Sequence, residues 1–351
     1  MPRYASSTDV ARLAGVSQSS VSRSYRPGAS ISQRTREKVL VAAEQLGYRP
    51  SIIPRIMINH RSDLIAVVIG GMYNPLYARM LEEFASQLHA SGRQMLLVPV
   101  DSGHSLDSVL PRLAGYRVDA IVSALAVLSP GTADALAKLR IPVISFNTKV
   151  SNAWVTSVST DNARAGAEIA DHFLARGARS FGFVTGPLDS PASDERLKGF
   201  RRTLARRGFK NLRIAGGNFR YEDGFRAALA IFARENAPES IFCANDLLAI
   251  GAIDAIRTRL RLRVPEDVLV AGFDDIPMAG WAGYELTTFV QDASLMVRET
   301  IKMFQHSPIG RRDLAEGRVT LPARLVERAS TSRLRRGSLA EIADVSHAEG
   351  P

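Results

Sequence analysis

The sequence has little cysteine and no long apolar run. Its 351 residues include one cysteine, which cannot form an intrachain disulfide, so a disulfide-stapled secreted scaffold is excluded and a reducing compartment is expected. No stretch reaches the 18 consecutive apolar residues that indicate a transmembrane helix. Residues 1–10 also lack the apolar segment of a secretory signal. We therefore expect a cytoplasmic protein with no membrane partner.

Motifs for catalysis and metal binding are missing as well. The sequence contains no G-x-x-x-x-G-K-[ST] phosphate loop, no H-E-x-x-H zinc helix and no C-x-x-C pair. The six histidines are scattered, and Cys243 lies in an apolar segment, where we predict a buried and inert thiol. We therefore expect no enzyme activity, no cofactor and no metal ion.

Positive charge, by contrast, is abundant and concentrated near the N-terminus. The chain has a formal net charge of +10. Residues 1–60 carry nine Lys or Arg against three acids, which leaves +4 for the remaining 291 residues. This distribution indicates a polyanion as partner of the N-terminal region, although a solvated basic face is the alternative.

The same region shows the start and stop signals of three short helices. Ser6 and Asp9 form a predicted capping box at the first helix, and Gly15 is a predicted C-cap. Ser17 and Ser32 are predicted N-caps of the second and third helices. Two short helices joined by a glycine-containing turn and completed by a third are typical of a helix-turn-helix unit.

The second of these helices is polar, with Val21 as its only large apolar residue and predicted inward anchor. Its Ser, Gln and Arg side chains are suited to base edges and phosphates. The alternative interpretation is an ordinary surface helix whose polar residues face solvent.

The order of residues in this region closely resembles the DNA-binding head of the lactose-repressor (LacI/GalR) family. The matching segments are Asp9-Val10-Ala11-Arg12-Leu13-Ala14-Gly15-Val16-Ser17, Val21-Ser22-Arg23, Ile31-Ser32-x-x-Thr35-Arg36-Glu37-Lys38-Val39 and Leu46-Gly47-Tyr48-x-Pro50. The resemblance implies a homodimeric bacterial transcription regulator that binds a pseudo-palindromic operator in double-stranded DNA. On this basis Gln18, Ser19 and Arg23 are predicted to read base edges, and Ser17, Ser20 and Arg26 to contact phosphates.

Residues 50–61 link this head to the rest of the chain. The resemblance implies a hinge helix that enters the minor groove, with Ile53 and Met57 contacting DNA. Met57 stands where the family usually has a Leu that wedges between base pairs. A plain linker containing Pro54 is the alternative, but Ile52, Ile53, Ile56 and Met57 make it unusually apolar.

From Leu64 onward, short apolar runs alternate with amphipathic patterns, which indicates parallel sheets covered by helices. About 270 residues is too long for one such sheet, so two lobes are expected. The resemblance continues here and implies a body like that of periplasmic sugar-binding proteins. The matching motifs are Asn74-Pro75-Leu76-Tyr77, Thr160-Asp161-Asn162-x-x-Ala165-Gly166, Arg196-x-x-Gly199-Phe200, Ala244-Asn245-Asp246, Gly272-Phe273-Asp274-Asp275 and Leu321-Pro322-x-x-Leu325-Val326.

The predicted fold is therefore an N-terminal all-α helix-turn-helix head followed by an α/β, periplasmic-binding-protein-like body of two doubly wound parallel-sheet lobes. The expected segments are a head (1–49), a hinge helix or linker (50–61), a body (62–333) and a flexible tail (334–351). Within the body we expect lobe 1 over about 62–160 and 291–321, and lobe 2 over about 161–290 and 322–333.

Ligands of open α/β sheets bind at the carboxyl ends of the strands. Several polar and aromatic residues follow predicted strands or face the effector according to the resemblance, namely Tyr73, Tyr77, Asn147, Arg196, Phe219, Asn245, Asp274 and Gln291. Carboxylate and amide groups can bind neighbouring hydroxyls, and a ring can stack on the apolar face of a sugar. The alternative is structural: Asn245 or Asp274 caps a turn, and Phe219 belongs to the core.

The sequence thus predicts a ligand-responsive transcriptional repressor whose effector is a sugar, sugar acid or polyol bound between two lobes. A regulator that responds to a purine-type co-repressor is the alternative. A solute-binding receptor would share the body, but the basic helix-turn-helix head argues against it. Whether the effector releases DNA or promotes DNA binding stays open at this point.

Overall fold

The computed structural model describes residues 5–26, 28–49, 62–100, 109–124, 130–146, 154–233, 235–306 and 318–332. The chain divides into two compact units, Met1–Ser62 and Asp63–Pro351. The predicted hinge contacts Ile53 and Met57, the predicted effector contact Asn147, and the predicted tail lie outside the described residues. No helix in the described ranges is long and apolar enough to span a bilayer.

The first unit contains three helices, α1 (Ser7–Ala14), α2 (Gln18–Ser24) and α3 (Gln33–Gln45). Their starts are set locally, since Ser6 and Asp9 form the predicted capping box. Ser17 and Ser32 accept hydrogen bonds from backbone N–H groups three residues on, which confirms both as N-caps. Gly15 ends α1 in the left-handed conformation (φ 65°).

A small apolar core holds these helices together. It consists of Val10, Ala11, Val21, Val39, Ala42 and Ala43. Val21 is fully buried, so its predicted role as the inward anchor of the polar helix is confirmed.

The second unit begins with alternating strands and helices: β1 (Leu64–Gly70), α4 (Pro75–Ala90), β2 (Gln94–Val100), α5 (Leu110–Gly115), β3 (Ala120–Ala124), α6 (Pro130–Leu139), β4 (Val143–Phe146) and β5 (Val155–Thr160). It continues with α7 (Asn162–Ala175), β6 (Phe181–Val184), α8 (Pro191–Arg206), β7 (Leu212–Ala215), α9 (Tyr221–Phe232), β8 (Ser240–Cys243), α10 (Asp246–Thr258) and β9 (Leu269–Ala271). The remaining elements are β10 (Thr288–Val290), α11 (Ala293–His306), β11 (Val319–Leu321) and β12 (Arg324–Val326).

These strands form two parallel sheets and one antiparallel pair. The larger sheet has six strands in the order β11-β5-β4-β3-β1-β2, and the smaller has four in the order β7-β6-β8-β9. All pairs within each sheet are parallel. Strands β10 and β12 pair in antiparallel fashion where the chain runs between the two sheets. Strand β11 joins the larger sheet from far along the chain, because its Leu321 pairs with Thr160 of β5.

The smaller sheet is packed by phenylalanines. Phe183 and Phe242 on neighbouring strands meet edge to face with ring centroids 5.3 Å apart, and Phe200 of α8 lies 5.6 Å from Phe242. The three rings are fully buried. Such ring contacts add specific geometry to apolar burial and help to position α8 over the sheet.

Helices α7 and α8 touch backbone to backbone. A Cβ atom at Gly166 would overlap the carbonyl oxygen of Arg196, and one at Gly199 would overlap that of Ala163. Only glycine permits this approach. The consequence is functional, since it brings Arg196 on α8 next to the start of α7.

Candidate functional site

The candidate DNA-reading residues lie on and around α2, with five of the six exposed and Ser20 half-buried. The Ser17 hydroxyl accepts a hydrogen bond from the Ser20 N–H at 3.2 Å. It also forms a hydrogen bond with the Ser19 hydroxyl at 2.8 Å. Arg23 donates to the Ser19 hydroxyl at 3.2 Å. These bonds link side chains of one helix to each other and leave their outer surface accessible.

Two further contacts orient this surface. Gln18 donates its side-chain amide to the hydroxyl of Ser7 on α1 at 2.9 Å, which fixes the start of α2 against its neighbour. Arg26 is exposed just after α2, and its carbonyl oxygen accepts from Arg36 on α3 at 3.5 Å. A polar helix held by neighbours and exposing hydroxyl, amide and guanidinium groups has the chemistry of a recognition helix.

The candidate effector site is centred on Asp274, which is buried just past β9. One carboxylate oxygen accepts from the Asn74 side chain at 2.9 Å, and the other accepts from the Gln291 side chain at 2.7 Å. Gln291 in turn accepts from the Thr160 hydroxyl at 2.8 Å. Burial raises the pKa of Asp274, while the nearby Arg196 opposes this rise. Residues from both sheets therefore meet at one carboxylate.

Arg196 is buried beside this carboxylate. Its Nε donates to Asn162 at 2.9 Å, and a terminal nitrogen donates to the carbonyl oxygen of Ala244. The guanidinium carbon lies 3.4 Å from the centroid of the Phe273 ring. Burial lowers the pKa of Arg196 to about 10, so the group is still a cation at neutral pH. Arg196 is thus a fixed, stacked cation at the centre of the site.

Asn245 and Phe219 form a second part of the site. Asn245 caps α10 by accepting from the Leu248 N–H at 3.0 Å, and it donates to the Phe219 carbonyl oxygen at 3.1 Å. The capping role is therefore real. The Phe219 ring lies directly on Gly186, where a Cβ atom would overlap it. The half-buried ring packs at the edge of the core, so its role as a stacking platform stays a prediction.

The backbone is strained at this site. Phe219 (φ 65°), Asp274 (φ 123°) and Asp275 (φ 55°) all have positive φ angles without being glycine. Such conformations persist where surrounding contacts enforce them, and they are frequent at ligand-binding sites. Here Asn245 holds the Phe219 carbonyl, while Asn74 and Gln291 hold the Asp274 side chain.

The two candidate tyrosines lie on the other side of the site, after β1. Tyr77 is partly buried, and burial together with Asp274 raises the pKa of its hydroxyl. Tyr73 is exposed, and its hydroxyl donates to the backbone carbonyl of Asn218 at 3.0 Å. The structure thus brings seven of the eight predicted effector contacts to one region, and the eighth, Asn147, lies outside the described residues.

Sequence reasoning did not assign four buried polar residues of this region, namely Asn74, Thr160, Asn162 and Asp246. Asn74, Thr160 and Asn162 hold Asp274, Gln291 and Arg196. All four lie in matched motifs at strand ends, so the rule that favoured Asn245 and Asp274 would have found them. Burial and then the neighbouring Asp274 raise the pKa of Asp246 to about 8, which favours its neutral form at pH 7.

Comparison with known proteins agrees with this geometry. Residues 8–51 match the bacterial regulatory proteins of the lacI family, and residues 170–331 match a periplasmic binding protein-like domain. The chain is 31% identical to the HTH-type transcriptional regulator DegA of Bacillus subtilis (strain 168), over 93% of this chain and 98% of that protein.

Solved structures agree as well. A complex of the transcriptional regulator CelR with cellobiose superimposes with a TM-score of 0.69 at 28% identity, covering 93% of this chain and 99% of that one. A lac repressor dimer bound to operator and the anti-inducer ONPF superimposes with a TM-score of 0.81 at 24% identity, covering 94% and 99%. The likeness to the latter shows the fold alone, and it confirms the predicted head and two-sheet body.

Proposed function

The chain belongs to the lacI family of bacterial regulatory proteins and is a sequence-specific DNA-binding transcriptional regulator, and we propose that it is a repressor whose body binds a hydroxyl-rich carbohydrate. The observation that carries the proposal is the buried polar set around Asp274 and Arg196. A carboxylate, carboxamides and a guanidinium lie close together here. They match a ligand with hydroxyl groups on successive carbons, since each hydroxyl can both donate and accept a hydrogen bond.

The ligand class follows from the charges of this set. Arg196 is the one strongly buried cation among the described residues, and it lies beside Asp274. A sugar phosphate would favour more than one cation, whereas a neutral sugar, polyol or sugar acid fits a single cation beside a carboxylate. The CelR structure holds cellobiose, which supports a carbohydrate here.

The proposed mechanism is a linkage between two lobes and DNA. Lobe 1 carries the six-stranded sheet and lobe 2 the four-stranded sheet. An effector that binds more tightly to one arrangement of the lobes shifts the population toward it. In a homodimer this changes whether the two hinge segments, with Ile53 and Met57, fit the minor groove together. The protein then acts at its operator, within the bacterial nucleoid in the cytoplasm.

Within the head, Gln18, Ser19 and Arg23 read base edges in this proposal, and Ser17, Ser20 and Arg26 contact phosphates. The exposure of α2 and its attachment to α1 through Gln18 support these roles. Selection of bound sequences from random duplexes should return a two-fold site if the protein acts as a dimer.

A thermal-shift panel tests the ligand class. Cellobiose, glucose, gluconate, sorbitol, glucose 6-phosphate and hypoxanthine are each added to the full chain. One carbohydrate should raise the melting temperature far more than its deoxy analogue does, because a missing hydroxyl leaves buried groups unpaired.

The matched variants are Asp274→Asn in the site and Glu266→Gln at an exposed position before β9, at the opposite end of the sheet. The first should abolish the shift, and the second should leave it intact. A response to hypoxanthine alone would overturn the carbohydrate assignment.

A further inference from the structure

The Tyr73 side chain joins the two lobes beside the candidate effector site. It lies in the turn after β1, on the lobe with the six-stranded sheet, and its hydroxyl donates to the backbone carbonyl of Asn218 at 3.0 Å. Asn218 lies between β7 and α9, on the lobe with the four-stranded sheet. The Arg220 guanidinium carbon lies 4.6 Å from the centroid of the Tyr73 ring. One side chain on the first lobe thus makes two contacts with the second.

We propose that Tyr73, Asn218 and Arg220 form a closure latch that favours the closed arrangement of the two lobes, and that Tyr73 is a positioning residue for the cleft. The inference rests on the proposed function in one respect, since it takes the cleft between the lobes to be the effector site.

Both ends of the latch are anchored to their own lobes. On the first lobe, Asn74 caps α4 by accepting from the Leu76 N–H at 3.0 Å. The preceding turn passes through Gly71 at a φ of 67°, which a residue with a Cβ atom rarely adopts. Tyr73 therefore starts from a fixed backbone position and does not depend on a free loop.

On the second lobe, the Asn218 N–H donates to the buried side chain of Asp223 on α9 at 2.9 Å. The next residue, Phe219, is held by Asn245 through its carbonyl oxygen. Since each end is tied to its own lobe, breaking the Tyr73 contacts is expected to loosen the arrangement of the lobes, with the buried Asn74–Asp274 bond as a remaining link between them.

The latch contacts are exposed, in contrast to those at Asp274. The Tyr73 side chain and Arg220 are both exposed, and the described residues offer Arg220 no carboxylate within ion-pair distance. Hydrogen bonds and cation–π contacts at exposed sites are weak. The latch can therefore bias the lobes toward closure and still yield to an entering ligand.

Distances between two spin labels on the full chain test the latch without any effector. Labels are attached at Ser86→Cys on α4 and Ala230→Cys on α9, both exposed positions on different lobes. The native Cys243 is fully buried, so we expect it not to take up the label. The labelled parent, mixed with an excess of unlabelled protein so that a homodimer carries one labelled chain, should give one narrow distance distribution.

Adding Tyr73→Ala together with Arg220→Ala should shift this distribution to longer distances and broaden it. Tyr73→Phe, which loses the bond to Asn218 but keeps the ring under Arg220, should give an intermediate shift. Arg220→Gln should shift the distribution to longer distances than in the parent. Arg220→Lys, which keeps the positive charge, should give distances close to those of the parent. Urea midpoints should change little, because these exposed contacts contribute weakly to the free energy of unfolding.

The matched control is Tyr116→Ala, which removes another exposed tyrosine from the first lobe. It should leave the distribution unchanged. An unchanged distribution in the double variant, or equal opening in the Tyr116 control, would overturn the latch. Neither outcome depends on the thermal-shift panel, so the latch and the carbohydrate assignment can fail separately.

Discussion

In the helical head, the candidate recognition side chains are mostly exposed and bond to their neighbours on α1 and α2, whereas in the cleft the central candidate side chains are buried and bond to the scaffold. Arg23 of the head donates to Ser19, one turn away. Arg196 of the cleft donates to residues 34 and 48 positions away. An arginine side chain therefore lies at the surface in one region and is part of the buried scaffold in the other.

This difference has a consequence for substitutions. An exposed polar residue can change without affecting folding, so the head can alter its operator preference at little cost in stability. A buried polar residue leaves its partners unpaired when it is removed. The cleft must therefore change its ligand specificity and its packing together.

The largest effect should follow from Arg196→Ala. The free energy of unfolding should fall by about 3–5 kcal/mol, because a buried stacked group is replaced by a cavity and two acceptors lose their donor. Urea unfolding followed by circular dichroism measures this loss. Arg201→Ala on the exposed face of α8 is the control and should change the free energy by less than about 0.5 kcal/mol. Equal losses in the two variants would remove the distinction between buried and exposed arginines.

In the head, Arg23→Ala should separate binding from stability. Operator binding should weaken by about 1–3 kcal/mol, and the preference for the operator over random DNA should decline. The unfolding free energy should change by less than about 0.5 kcal/mol, because the side chain is exposed. Electrophoretic mobility shifts on operator and random duplexes give the comparison. An equal loss on both duplexes would contradict the base-reading role.

A third effect comes from a buried histidine in the body. His172 bonds to Thr331 at 2.9 Å, and burial, with a smaller contribution from Arg176, lowers its pKa to about 4. As the pH falls from 7 to 5, the unfolded chain takes up a proton that the folded chain does not, so stability is lost. The loss should be about 2 kcal/mol.

His172→Gln should flatten this part of the pH profile, whereas His89→Gln at an exposed position of α4 should not. Urea midpoints across the pH range provide the measurement. If the parent and His172→Gln have parallel profiles, another group is responsible for the acid sensitivity.

Locally encoded features were predictable because their contacts lie within a few residues. The capping box of Ser6 and Asp9 and the caps at Ser17 and Ser32 depend on backbone groups three positions away. The alternation of apolar strands with helices likewise predicted parallel sheets. Strands β7 and β12 were not predicted, because each is short and contains an arginine, Arg213 or Arg324, so neither forms a continuous apolar run.

The sequence by itself thus determined the three capped helices, the α/β alternation and the chemical types of the cleft residues. Tertiary structure alone decided what each side chain bonds to. Asn74 reaches Asp274 across 200 residues of chain, and Thr160 reaches Gln291 across 131. Tyr73, predicted as an effector contact, has its hydroxyl bonded to Asn218. The physical reason is that a cap needs only local backbone geometry, whereas these partners meet only after two sheets have formed and their carboxyl ends face each other.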